Sequence, residues 1–180
     1  EMLPLSFKEY CIFQEGNGKN LGENFNDYLR FGSFPYIAQL EQKEGLITQA
    51  ITGIYTSILL KDVAKREGIT DVALLENIVR FVAGNIGSPI STKRISDYIN
   101  SAGRRISVNT VDSYLRALTD SYIFYKAERY DVKGKKLLKT LGKYYIVDTG
   151  LRNMLLSSAE SDIGHLVENV VYLELLRRGF

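Results

Sequence analysis

The chain has 180 residues, which suits one or two domains, and its 45% hydrophobic and 24% charged content is ordinary for a globular protein. No apolar run approaches the roughly 20 residues that a membrane helix needs, and the opening residues carry no secretory signal pattern. The single cysteine, Cys11, excludes an internal disulfide and fits a reducing compartment. We therefore expect a cytoplasmic protein with no membrane partner.

Two capping boxes predict the first two helices. In Ser6-Phe7-Lys8-Glu9 and in Asn20-Leu21-Gly22-Glu23, a polar cap and a glutamate three positions later can satisfy each other's backbone donors. We expect the second helix to end near Arg30, because Gly32 and Pro35 break the pattern.

Apolar residues at helical spacing predict two further helices. The first runs from about Glu44 to Glu67 and is stopped by Gly68. Asp71 is a natural N-cap for the second, which has Leu, Ile and Val on one side.

Residues 91–147 predict two short helices and a hairpin, the pattern of a winged helix-turn-helix. Ser91 and Ser107 are expected N-caps, and the strand-like runs 123–130 and 143–147 flank a lysine-rich segment. The helices' expected inward residues are Ile90, Ile95, Tyr98, Ile99, Val108, Val111, Leu115 and Leu118. Recognition helices of this class point their first turn at phosphates or base edges.

Positive charge is concentrated in this same region. Residues 91–145 hold 12 Lys and Arg against 5 Asp and Glu, whereas the whole chain has a net charge of only +2. Because cationic side chains supply most non-specific DNA affinity, duplex DNA is the expected partner. Asp112 would repel phosphate, although it could accept a hydrogen bond from cytosine. The candidate DNA-binding residues are Lys93, Arg94, Ser107, Asn109, Thr110, Ser113, Tyr114, Arg116, Lys133, Lys135 and Lys136.

Two other functions are open to this region. The winged helix could be a protein-interaction or regulatory module, with an apolar helix over about 162–178 supplying a docking surface. A stand-alone transcription regulator is the less favoured alternative.

No catalytic residues are expected in this chain. The only histidine, His165, has no Cys or His at ligand spacing, so no metal site is predicted. Gly16-Asn17-Gly18-Lys19 lacks the glycine spacing of a phosphate-binding loop.

Several runs together resemble a widespread prokaryotic family, the AAA-type ATPases with a C-terminal restriction-endonuclease-like domain of unknown function. The resemblance covers essentially the whole chain. It is carried by residues 3–10, 28–35 and 61–63, by Tyr130-Asp131-x-Lys133-Gly134-Lys135-Lys136, by 143–153 with Asp148-x-Gly150-Leu151-Arg152-Asn153, and by Gly164-x-x-x-Glu168-Asn169 with the residues to Gly179.

This resemblance implies a fragment of a longer protein, mainly α with a small β-hairpin. Residues 1–68 would be the end of the ATPase core and lid-like helices, 69–148 the winged helix-turn-helix, and 149–180 a linker and the first helix of a nuclease-like domain. The fragment itself would hold no cofactor, while the parent protein would use ATP and Mg²⁺. Its own ATPase and C-terminal domains would be partners. Glu168 matches a helix carboxylate beside the nuclease-like metal site, or else forms a local salt bridge.

Overall fold

A computed structural model describes residues 3–40, 43–131, 136–157 and 163–180, and it is mainly helical with one small antiparallel sheet. The mainly α class with a small β component is therefore confirmed. The chain forms two compact units: unit 1 contains Glu1–Leu59 and Val147–Phe180, and unit 2 contains Leu60–Ile146. No helix in the described part of the chain is long and apolar enough to cross a membrane.

Unit 1 begins with the two predicted capping boxes. Helix α1 (Phe7–Phe13) is capped by Ser6 and Glu9, and α2 (Leu21–Phe31) is capped by Asn20 and Glu23. Helices α3 (Pro35–Gln39) and α4 (Glu44–Tyr55) follow. Both capping boxes are confirmed because they need only residues that are three positions apart.

The helix predicted over residues 44–67 is not a single α-helix. After α4 the backbone becomes π-helical over Thr56–Val63, and then the short helix α5 (Ala64–Arg66) ends it. The hydroxyls of Thr52 and Thr56 donate to main-chain carbonyls one turn earlier, at 2.7 and 2.9 Å. Hydroxyls bonded in this way compete with the regular hydrogen-bond ladder of a helix.

Tyr28 anchors the core of unit 1. Its ring contacts the rings of Phe7 and Tyr10 edge to face, with centroids 5.4 and 5.3 Å apart, and its hydroxyl donates to the carbonyl of Leu5 at 2.9 Å. Burial raises the pKa of Tyr28 to about 12. Val170 of α10 (Ile163–Arg177) packs against the same cluster.

Side chains of helix α9 (Thr149–Leu156) donate hydrogen bonds to the carbonyls at the C-terminal end of α2. The hydroxyl of Thr149 donates to the carbonyl of Tyr28 at 3.1 Å, and the amide of Asn153 donates to the carbonyls of Leu29 and Arg30 at 3.0 and 2.9 Å. The last carbonyls of a helix have no partner within it, so α9 satisfies groups that burial would otherwise penalise.

Asp148 is the fully buried centre of this junction. Its carboxylate caps α9 by accepting from the N–H of Leu151 at 2.9 Å, and it also accepts from the N–H of Ser33 at 2.6 Å. A Cβ on Gly32 would lie 2.2 Å from this carboxylate, and one on Gly150 would lie 2.1 Å from the carbonyl oxygen of Phe31. The run Asp148–Asn153 and the end of α2 therefore form a structural junction, in which Gly150 and Gly32 permit close approach.

The predicted three-part division differs from the two observed units. Residues 149–180 were expected to begin a separate domain, whereas residues 147–180 lie in the same unit as residues 1–59. Besides the α9 contacts, Arg177 of α10 donates to the carbonyl of Pro4 at 2.7 Å. These contacts join residues distant in sequence, which local patterns do not predict.

After the end of the π-helical stretch and the short helix α5, unit 2 continues in the order helix, strand, helix, helix, strand, strand. These are α6 (Val72–Ala83), β1 (Pro89–Ile90), α7 (Thr92–Ser101), α8 (Val108–Asp120), β2 (Phe124–Asp131) and β3 (Lys136–Ile146). The sheet order is β1-β3-β2, antiparallel throughout, with Phe124 opposite Ile146 and Asp131 opposite Lys136. The β2–β3 hairpin has an irregularity between Ala127 and Arg129.

The three longer helices of unit 2, α6, α7 and α8, share one apolar core. Side chains with no exposed surface come from each of them, including Leu75, Ile78, Ile95, Val111 and Leu118. Each fully buried aliphatic side chain contributes about 1.5–3 kcal/mol relative to an exposed one. Packing in this core determines which faces of α7 and α8 are exposed to solvent.

The structure corrects two of the expected inward positions on α7 and α8 and places a third in another element. Ile90 is buried but belongs to β1 rather than to α7. Tyr98 is 54% exposed, with its ring against Phe81 at 4.7 Å, so only one side of it is covered. Val108 is 41% exposed because it is the first residue of α8.

Candidate nucleic-acid interface

Helix α8 begins at a well-formed polar cap. The Ser107 hydroxyl accepts from the N–H of Thr110 at 3.1 Å, and the two hydroxyl oxygens are 2.8 Å apart. The cap satisfies one of the free N–H groups of the first turn. Ser107 is exposed, whereas Thr110 is half-buried, so of the two predicted contacts Ser107 is the more accessible.

The two long faces of α8 differ in burial and in polarity. Val111, Leu115 and Leu118 are buried, and the opposite face is exposed and polar. The exposed face carries Asn109, Asp112, Ser113, Arg116 and Asp120. An α-helix repeats every 3.6 residues, which places residues 109, 113 and 116 on one stripe along its axis.

The side chains of this stripe have identifiable partners. The Ser113 hydroxyl donates to the carbonyl of Asn109 at 3.1 Å, and a guanidinium nitrogen of Arg116 lies 3.4 Å from a carboxylate oxygen of Asp112. Arg116 and Asp112 are 74% and 59% exposed. Their mutual contact brings opposite charges together, so the stripe is polar rather than strongly cationic.

Tyr114 lies at the edge of the exposed face. It is half-buried, and burial, followed by the nearby Asp71 carboxylate, raises the pKa of its hydroxyl. The hydroxyl therefore stays protonated at neutral pH and can donate a hydrogen bond.

The turn between α7 and α8 is held by hydrogen bonds. The Ser96 hydroxyl donates to the carbonyl of Ile106 at 3.0 Å, and the Asn100 side chain accepts from the N–H of the same residue at 2.8 Å. Arg104, in this turn, pairs with Asp71 at 3.2 Å. Arg105 is exposed beside it. These two arginines were not among the predicted site residues, although their place just after Gly103 in a turn could have indicated them.

Of the other lysines and arginines predicted to contact DNA, the structure describes those in α7 and at the start of β3. Lys93 and Arg94 are exposed in the first turn of α7. Lys136 is the first residue of β3, opposite Asp131 on β2. Lys133 and Lys135 lie outside the described residues, so their DNA contacts remain predictions.

The two units differ in charge. Unit 2 holds 16 Lys and Arg against 9 Asp and Glu, whereas unit 1 holds 7 against 12. Unit 2 therefore has a surplus of seven positive charges, which favours association with polyanions. The surplus of positive charge in unit 2 comes largely from the residues that follow α6.

Glu168 lies in α10, where it is half-buried and has at least one interaction partner. Among the residues that the structure describes, no three His, Cys, Asp or Glu side chains are grouped so as to hold a metal ion. The proposed place of Glu168 beside a metal in a longer protein thus stays a prediction.

Comparison with known proteins identifies the family to which the chain belongs. Residues 22–162 match the family described as "Domain of unknown function (DUF8612)", so the chain belongs to that family. Over its whole length it is 35% identical to an uncharacterized protein of Haemophilus influenzae, of which it covers 45%. It is 28% identical to the uncharacterized protein MJ1544 of Methanocaldococcus jannaschii, of which it covers 42%. The chain thus spans less than half the length of these relatives, and no solved structure matches it.

Proposed function

We propose that unit 2 is a winged helix-turn-helix that binds duplex DNA, and that it works within a longer prokaryotic AAA-type ATPase. The observation that carries the proposal is the division of α8 into a fully buried face and an exposed face with Asn109, Ser113 and Arg116. A helix held in this way by a three-helix core can enter the major groove without disturbing the fold.

The surrounding elements support the same function. The order of helices and strands from α6 onward supports this proposal, since α8 would be the recognition helix of a winged helix and the β2–β3 hairpin would be its wing. The sequence of the hairpin and of the α7–α8 turn contains lysines and arginines that would suit phosphate contacts. In the longer protein, ATP and Mg²⁺ would bind outside this chain, and the resemblance of residues 3–10 to the end of an ATPase core is the basis for that part of the proposal.

A titration of fluorescently labelled duplex DNA with the full chain tests DNA binding. Micromolar affinity is expected at low salt, and roughly four phosphate contacts would lower it about 100-fold between about 50 and 200 mM salt. Reversing Lys133, Lys135 and Lys136 to Glu should abolish binding.

The matched control reverses three exposed cations of unit 1 instead, namely Lys8, Lys43 and Arg178. Because it changes the net charge equally, it separates a local interface from general attraction between protein and DNA. Equal losses in both triple variants, or unchanged affinity after the hairpin reversal, would reject the proposed interface.

A second function is favoured by one observation, the exposed carboxylates of Asp112 and Asp120 on α8. Phosphate repels such groups, whereas a protein partner with basic side chains would bind them. On this alternative, unit 2 is an interaction or regulatory module, and the titration would detect no duplex binding even at low salt.

A further inference from the structure

The Asp112–Arg116 pair bears on which DNA the protein binds, and the inference here rests on the proposed DNA-binding function. Asp112 is on the exposed face of α8, one helical turn before Arg116. A carboxylate at such a position lowers affinity for phosphates. It is therefore better suited to contact base edges, where amino groups are available as donors.

The contact between the two side chains leaves most of their hydrogen-bonding groups available. One terminal nitrogen of Arg116 lies 3.4 Å from one oxygen of Asp112. A guanidinium has five N–H donors in a rigid fork, so the rest of the fork can still donate two parallel hydrogen bonds. The second carboxylate oxygen can still accept one.

We propose that Arg116, positioned by Asp112, recognises guanine in the major groove, and that Asn109 recognises adenine about two base pairs away. Guanine presents two acceptors, O6 and N7, that match the arginine fork, and adenine presents the donor and acceptor that match an asparagine amide. Asp112 accepts from the amino group of a neighbouring cytosine or adenine.

The spacing follows from helix geometry. Residues 109 and 116 are seven positions apart, which is about 10 Å along an α-helix. In helices that read the major groove, residues about three positions apart contact successive bases, so these two contacts would be about two base pairs apart. The proposed ligand is thus duplex DNA with a guanine and an adenine at this separation.

The test is enrichment of tight-binding duplexes from a pool with a randomised central segment, using the full chain. The wild-type protein should enrich one guanine and one adenine about two base pairs apart. Replacing that guanine in a selected duplex should lower affinity about 5- to 150-fold. R116K keeps the charge but loses the fork, so it should lose the guanine preference while binding other duplexes nearly as before.

Three further variants separate the roles. N109A should lose only the adenine preference. D112A should weaken the guanine preference yet raise affinity for unselected duplexes, because a carboxylate that repels phosphate has gone. R105A, which changes an exposed arginine of the turn, should lower affinity equally for all duplexes.

The outcomes distinguish this inference from the function on which it rests. Salt-sensitive binding with no enriched guanine, or an unchanged guanine preference in R116K, would overturn the base-reading inference and leave DNA binding intact. Absence of binding to every duplex at low salt would overturn both.

Discussion

The carboxylate of Asp148 accepts a hydrogen bond from the backbone N–H of Ser33 across 115 positions of sequence, at 2.6 Å. Both residues are buried, and the same carboxylate caps α9 through Leu151. One side chain therefore joins the end of α2 to the start of α9. Charged acceptors bonded to backbone donors form strong hydrogen bonds, so this contact is central to the stability of unit 1.

Replacing Asp148 with Ala should destabilise unit 1 by about 2–4 kcal/mol. The change removes the N-cap of α9, worth about 1 kcal/mol, and leaves the buried N–H of Ser33 without an acceptor, which costs about 1–3 kcal/mol more. Urea unfolding followed by circular dichroism measures the loss. An Asp27→Ala variant, which removes a carboxylate from the Lys19 ion pair near the surface, should cost under 1 kcal/mol. Similar losses in the two variants would contradict the assigned importance of Asp148.

Gly150→Ala and Gly164→Ala should change stability in opposite directions, although both glycines are in helices. A Cβ at residue 150 would lie 2.1 Å from the carbonyl oxygen of Phe31, whereas nothing lies within 4 Å of one at residue 164. We expect Gly150→Ala to cost roughly 2 kcal/mol or more because α2 and α9 must separate.

Gly164→Ala should instead stabilise the protein by about 0.4–1 kcal/mol, since alanine restricts the unfolded chain and favours a helix. Thermal unfolding of both variants beside the wild type tests the pair. A Gly150→Ala protein as stable as the wild type would argue against the close packing of α2 on α9.

The titration of Asp148 should make stability depend on pH. Burial raises the pKa of its carboxyl above the ordinary 3.8, against the opposing effect of hydrogen bonds from Ser33 and Leu151. The folded protein therefore keeps the Asp148 proton at pH values where the unfolded chain has lost it. The resulting stabilisation is full below the ordinary pKa and is lost as pH rises through the folded-state pKa.

Asp148→Asn removes this titration and serves as the reference. The free energy of unfolding of the wild type minus that of Asp148→Asn should fall as pH rises from 4 towards 7. Urea unfolding at several pH values measures this difference. A difference that increases with pH would mean that the hydrogen bonds outweigh burial in setting the pKa.

Local sequence signals predicted much of the secondary structure. The caps at Ser6, Asn20, Asp71, Ser91 and Ser107 all appear in the structure, because each requires only a side chain and a backbone N–H a few residues later. The π-helical stretch was missed because apolar spacing does not separate it from an α-helix over so few turns.

Tertiary arrangement was less predictable. The contacts of the run Asp148–Asn153 were not predicted, since its partners at the end of α2 are more than a hundred residues away in sequence. At the candidate interface, spacing identified the exposed Asn109, Ser113 and Arg116. It did not predict the exposure of Tyr98 and Val108, because burial depends on how far neighbouring elements extend.

The division of unit 1 into two separated segments has a consequence for how the protein is made. A ribosome releases residues 1–59 first, but Ser33 cannot meet Asp148 until the intervening residues have emerged. Unit 2 is continuous in sequence, so its contacts can form during that interval. Early compaction of unit 2 would shorten the effective loop between the segments of unit 1 and reduce the entropy lost when they join. The order of synthesis thus favours completing the inserted unit before the unit that surrounds it in sequence.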